Sequence, residues 1–309
     1  MIPYVGSGPY CYTSSLSMTL SPDAPPLPVI ETVTGSPFGA QLVAGVTPFF
    51  DPCGWNPEVG LDAAIELLGW RCARHDGGTP EQAVDRLRAA CARGPVLVGP
   101  VEMGLLLYQP GSGKAVDADH YVVVLAVEDD TVLLHDPEGY PFATLPLPAF
   151  LAAWRAESIS YLSTSFVMRT DFTREREVSP DEAVRLCLPR AVEWLAGRRD
   201  REMPPGSLGG AAAVERLAAQ VVEGLAPEIR TQLEVFGVRV GVRRLGDAAS
   251  CLAALGLTGP AAILTEQARI VGGLQYPLVV GDDQALAAGL RRLAPTYERL
   301  REALTVAIT

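Results

Sequence analysis

Two apolar runs of strand length, residues 121–127 and 131–135, flank the acidic triplet Glu128-Asp129-Asp130. Their β-branched content makes each a strand, and the polar triplet between them makes the pair a hairpin. A hairpin fixes which side chains share a face, so it constrains the domain around it more than any other feature. With the turn centred on Asp129, Asp136 stands opposite Val122 and diagonal to His120, and both project from one face. Diagonal neighbours lie about 7 Å apart, within reach of an aspartate–imidazole bond. A slip of one residue would put them on opposite faces.

The flanking sequence supplies further elements. Residues 11–20 predict a short helix, rich in Ser and Thr at its start and stopped by the prolines of 21–28. Apolar spacing predicts helices over 57–68 (Leu61, Ile65, Leu68) and 80–93 (Val84, Leu87, Cys91), each with a proline in its first turn. Residues 95–101 and 159–168 read as two more strands. Helices followed by antiparallel strands indicate an α+β domain over residues 1–170. From Ser179 the texture changes to Ala, Leu, Arg and Glu at helical period, predicting an all-helical domain of about five helices over 171–309. Residues 206–210 read as a flexible loop within it; no Lys-Ser or Lys-Thr follows to make a phosphate cradle.

A nucleophilic thiol is favoured at a helix N-terminus, where backbone N–H groups and the helix dipole stabilise the thiolate. Cys11 opens such a helix. A base must reach the sulfur, and His120 stands at the entrance to the strand 121–127; a third group must orient the imidazole, and Asp136 ends the partner strand. Singly, Cys11 reads as a core cysteine, His120 as a strand-end histidine and Asp136-Pro137 as a turn starter; together they read as nucleophile, base and orienting acid. His135 alternates to the other face, and His75 in His-Asp-Gly-Gly reads as a solvated loop residue. Cys53 is the rival nucleophile, but it sits in a turn with no helix start before Pro57.

The six cysteines and three histidines form no metal-ligand spacing, so neither a metal nor a cofactor is expected. A net charge of -11 argues against nucleic acid as a partner. No apolar stretch approaches a membrane span, and no basic segment precedes Arg71, so a cytoplasmic protein is expected. The charge is uneven: residues 1–170 hold 8 basic and 18 acidic side chains, and residues 171–309 hold 17 and 18.

The Cys11 helix, Gly94-Pro95-Val96-Leu97-Val98, Leu107-Tyr108, His120-Tyr121-Val122-Val123-Val124 and His135-Asp136-Pro137 together resemble the N-terminal domain of the butirosin biosynthesis protein H family. That domain is similar to papain-like peptidases that process bacteriocin leaders. The resemblance covers roughly residues 5–145, and the helical remainder is similar to the family's C-terminal domain more loosely. It implies a papain-like fold with a Cys11, His120, Asp136 triad. It implies further that an acyl group passes from a carrier-protein thioester to the cysteine, and then to an amine of a small-molecule acceptor or a nucleophile within the acyl chain. Papain-like peptidases place an oxyanion-binding glutamine six residues before the nucleophile, where this chain has Val5. The Cys11 N–H with Tyr4 or Tyr10 is the expected replacement. An acyltransferase or cyclase is the first expectation, a cysteine peptidase or thioesterase the alternative, and an idle binding module the third. An acidic acyl carrier protein is expected to dock on arginine clusters of the helical part (198, 199 and 201; 239, 243 and 244; 291 and 292). The oligomeric state, a homodimer among the options, is left open.

Overall fold

The computed structural model describes residues 10–198 and 200–308, which form two compact units. The first comprises the described residues through Leu27 together with Gly69–Glu177. It contains helix α1 (Cys11–Leu20), strand β1 (Trp70–His75), helix α2 (Pro80–Cys91) and strands β2 (Val96–Glu102), β3 (Asp119–Glu128), β4 (Thr131–Asp136) and β5 (Tyr140–Pro146). Helix α3 (Leu147–Trp154) and strand β6 (Met168–Arg174) complete it. The strands form one antiparallel sheet in the order β1-β6-β2-β3-β4-β5.

Local chemistry explains these elements. Thr79 and Gln82 make a reciprocal capping box at the start of α2, with Pro80 in its first turn. One core joins Leu87 of α2 to Val96, Val98, Val122, Val124 and Leu134 of the sheet and to Phe150 and Trp154 of α3. Helix α1 is unusual in burying Thr13, Ser14, Ser15, Ser17 and Thr19. Ser15 Oγ donates to the Tyr121 carbonyl at 3.1 Å, tying α1 to β3, and Thr19 Oγ1 donates back to Ser15 O at 2.8 Å.

Two local expectations change here. Residues 159–166 are turns rather than strand, because Ser163-Thr164-Ser165 offers no alternating apolar face and Phe166 has a φ of 58°. The strand begins at Met168 and continues through polar residues. His75 is half-buried at the end of β1, paired opposite Met168, rather than solvated in a loop.

The second unit joins Pro28–Leu68 to Val178–Thr309, so the two units interleave in sequence where a single cut at residue 170 was expected. Nor is it all-helical. Gln41–Val43, Thr47–Phe49 and Leu208–Gly209 form a three-stranded antiparallel sheet. Leu208 pairs with Leu42 inside the segment expected to be a loop; Gly209 is required there because a Cβ would lie 2.7 Å from Cys53 Cβ. The helices include Pro57–Leu67, Pro180–Leu195, Gly210–Glu223, Val238–Ala254, Thr258–Gly273 and Asp283–Ile308.

A buried ionic cluster shows why residues 28–68 belong to this unit. Arg244 donates to Glu31 Oε1 at 2.9 Å and Asp51 Oδ2 at 2.7 Å, and lies 5.2 Å over the Trp55 ring. Among the described residues, no helix is long and apolar enough to cross a membrane.

Candidate active site

Three elements of the first unit converge on one imidazole. His120 lies in β3 opposite Val101 and is 2% exposed. Asp136 ends β4 and is fully buried. His120 Nε2 and Asp136 Oδ1 are 2.7 Å apart. Cys11, at the first position of α1, lies near enough to act on the charge of the same ring.

The surroundings set the protonation of this pair. Burial pulls the His120 pKa down, but the Asp136 carboxylate and the Cys11 sulfur outweigh it and hold the imidazole well above its ordinary value. Burial likewise works to raise Asp136, yet His120, the Glu138 N–H and Tyr108 keep the carboxyl below the usual range. These neighbours therefore favour the charged imidazole, bonded to the Asp136 carboxylate with Cys11 nearby. Such a group can give and take a proton at the sulfur without leaving its place.

Four described groups donate to Asp136. Oδ1 accepts from His120 and from the Glu138 N–H at 2.8 Å; Oδ2 accepts from Tyr108 Oη at 2.8 Å and Gln109 Nε2 at 2.7 Å. The roles of Tyr108 and Gln109 were not readable from the sequence. Leu107-Tyr108 stands out only as part of a resemblance, and nothing local connects Gln109 to a carboxylate 27 residues away.

The remaining candidates fall elsewhere. Tyr10 is buried and precedes α1, where its carbonyl accepts the Ser14 N–H at 2.8 Å; its side chain makes no cap. Tyr4 and Val5 lie outside the described residues. His135 points to the other face, its Nδ1 accepting the Phe142 N–H at 3.0 Å and its ring edge-on to Phe142. Cys53 belongs to the second unit, and burial together with Asp51 pushes its thiol pKa up. Burial also raises Cys91 to about 11 and Cys187 to about 12. Among the described residues, no group of three or more His, Cys, Asp or Glu side chains could hold a metal ion.

The arginine clusters are less available than expected. Arg244 is buried in its ion pairs, Arg243 bonds Asp247 at 2.9 Å and Arg198 bonds Asp200 at 2.9 Å. Arg199 lies outside the described residues, and Arg291 and Arg292 are exposed.

Residues 204–305, within the second unit, match the YobF C-terminal domain family. The narrower resemblance to butirosin biosynthesis protein H rests on its residues alone. The chain is 31% identical over 164 residues to the uncharacterized protein YobF of Bacillus subtilis (strain 168), a match covering 52% of this chain and 53% of that protein. It thus spans about half the length of the curated relative it matches.

Proposed function

We propose that this chain is a cysteine-dependent acyltransferase or acyl cyclase whose first unit works as a papain-like catalytic domain. The observation that carries the reading is the His120–Asp136 contact of 2.7 Å, on a ring whose charged form the nearby Cys11 also favours. A buried imidazole oriented by a carboxylate and aimed at a thiol is the arrangement nucleophilic acyl transfer requires.

In the proposed cycle the Cys11 sulfur attacks the carbonyl of an acyl donor, and the thiol proton resides on His120. The tetrahedral intermediate collapses to an acyl-enzyme and expels the donor's thiol, which takes the proton back. An acceptor amine, or a nucleophile within the acyl group, then attacks the acyl-enzyme. It passes its proton to His120, from which the departing Cys11 sulfur recovers it. Asp136 remains ionised throughout and stabilises the imidazolium.

The donor we propose is a thioester on an acyl carrier protein and the acceptor a small-molecule amine, following the butirosin-type resemblance. With Arg244 buried, Arg239, Arg291 and Arg292 are exposed arginines of the expected clusters that could meet an acidic carrier. Intact-protein mass measured after incubation with acyl thioesters tests the reading. A mass gain equal to the acyl group on the wild type, absent in Cys11→Ala and discharged by an added amine, is the expected result. Discharge in water at the same rate would assign a thioesterase or peptidase instead. No mass gain with any thioester would remove the acyl-transfer reading.

A further inference from the structure

We propose that Tyr108 and Gln109 are positioning residues of the Cys11–His120–Asp136 site, presented by a closed loop that clamps Asp136 in the orientation His120 requires. The inference rests on the acyl-transfer reading for its catalytic consequence, although the clamp itself is a matter of geometry.

The loop runs between β2 and β3 and is closed at its neck. Glu102 pairs with Asp119 across the two strands, and the Met103 N–H donates to Ala118 O at 2.9 Å. The buried Glu102 carboxylate staples the loop from within. Its Oε1 accepts the Gly104 N–H at 3.1 Å and the Val116 N–H at 3.0 Å, and its other oxygen accepts the Ser158 hydroxyl. Gly113 N–H donates to Gly104 O at 2.8 Å. Gly104 must be glycine, because a Cβ there would lie 2.1 Å from the Lys114 carbonyl oxygen. A loop tied in this way behaves as a compact unit rather than a tether.

At its tip, two consecutive side chains converge on one oxygen. Tyr108 Oη and Gln109 Nε2 both donate to Asp136 Oδ2, the oxygen that His120 does not use. A carboxylate held by one bond could rotate about its Cβ–Cγ axis and exchange oxygens. Two donors on Oδ2, with the Glu138 N–H and His120 on Oδ1, remove that freedom. Tyr108 is suited to the task, since burial first and the Asp136 charge second push its hydroxyl pKa up, so it stays a donor. Its ring rests edge-on against Tyr140, which pairs with Asp136 across β4 and β5. The titratable groups facing Asp136 are thus His120, Tyr108 and Tyr140, with Cys11 beyond the imidazole.

The test compares Tyr108→Phe, Gln109→Leu and the double variant with the wild type in the full chain. One readout is the carboxyl carbon shift of Asp136 followed by NMR from pH 2 to 7; the other is the iodoacetamide rate at Cys11 over pH. Hydrogen bonds to the charged form favour it, so each lost donor should move the Asp136 inflection upward by about one pH unit. The Cys11 rate at neutral pH should fall several-fold. In an Asp136→Ala background, which leaves both donors nothing to hold, the same substitutions should change the Cys11 rate no further. An unmoved Asp136 inflection in the folded double variant, or equal effects with and without Asp136, would overturn the clamp. Should Gln109→Leu fail to fold, Tyr108→Phe carries the same comparison alone, because it removes one hydroxyl and leaves the packing. A wild type that forms no acyl-enzyme, while these shifts occur, would remove the acyl-transfer reading and leave the clamp standing.

Discussion

Val123 stands directly across from His135, although the turn of the same hairpin pairs Glu128 with Thr131. The two pairings differ by one residue. Leu125 absorbs the difference, left out between the Val124–Leu134 and Ala126–Leu133 pairs as a β-bulge. Had Leu125 paired with Leu134, Asp136 would stand opposite Val123 and project away from His120. With Leu125 excluded, Val123 faces His135, and that register carried on by one residue sets Asp136 toward Val122, on the face where His120 meets it. The bulge therefore reconciles a two-residue Asp129-Asp130 turn with the register the site requires.

The two histidines of the hairpin should consequently separate in their effects. His120→Ala removes the base of the proposed acyl transfer and should lower turnover by about 10² to 10⁴-fold. His135→Ala removes the acceptor of the part-buried Phe142 N–H and empties a fully buried site. It should lower unfolding free energy by about 1–3 kcal/mol while sparing the chemistry. Kinetics and denaturant melts on both variants check this. A catalytic collapse confined to His135→Ala would place the base on the wrong face.

The cysteines should separate as sharply. Iodoacetamide at pH 7 should label Cys11 ahead of Cys53, Cys91, Cys187 and Cys251, whose thiol pKa values burial raises. Cys11→Ala should abolish activity without altering the fold, and Cys53→Ala should leave turnover unchanged. Peptide mapping after brief labelling gives the order. Preferential labelling at Cys53 would count against the assignment of the nucleophile.

What could be read from the sequence divides along physical lines. The helix Cys11–Leu20 was legible because its start and its proline stop are both local signals. The facing of His120 and Asp136 was legible from alternation, yet through an oversimplified route: a uniform ladder centred on Asp129 gives the same facing as the shorter turn plus the bulge. Local pattern does not specify a bulge. The allegiance of residues 28–68 was hidden because Glu31 and Asp51 meet Arg244 only after separations of 213 and 193 residues. Tyr108 and Gln109 were hidden for the same reason on a smaller scale, since their target lies on another strand. Residues 159–168 misled because an apolar run was counted without weighing the Ser-Thr-Ser within it.

The buried His120–Asp136 pair fixes a pH signature. His120 has its pKa raised in the folded chain, so its contribution to stability is complete below about 6.5, the ordinary histidine value. It is lost as pH rises through the raised folded value. Asp136 has its pKa lowered, so its contribution is present above about 3.9 and is lost as pH falls through the depressed folded value. Wild type and Asp136→Asn should therefore differ most in stability between about pH 4 and pH 6.5, with the gap narrowing on both sides. Denaturant midpoints across pH 3–9 measure it. A gap independent of pH would mean that the pair is not ionised in the folded protein.

Replacement of Arg244 should be the most damaging single change in the second unit. Its guanidinium bonds Glu31 and Asp51, and these three side chains are only 5%, 0% and 6% exposed. Neutral groups also donate to the carboxylates, Ser36 Oγ to Glu31 and Gln41 Nε2 to Asp51, both at 2.6 Å. These neutral donors cannot balance the charge. Arg244→Met keeps much of the side-chain volume but leaves two buried carboxylates without a cation, and the expected loss is about 3–5 kcal/mol. Adding Glu31→Gln and Asp51→Asn to Arg244→Met removes the uncompensated charge and should recover much of the stability. That recovery is what distinguishes a charge effect from a packing defect, because packing around residue 244 is the same in the single and triple variants. Urea unfolding of the three proteins at pH 7 decides the matter. A single-variant loss below about 1 kcal/mol would mean that water reaches the cluster and screens it.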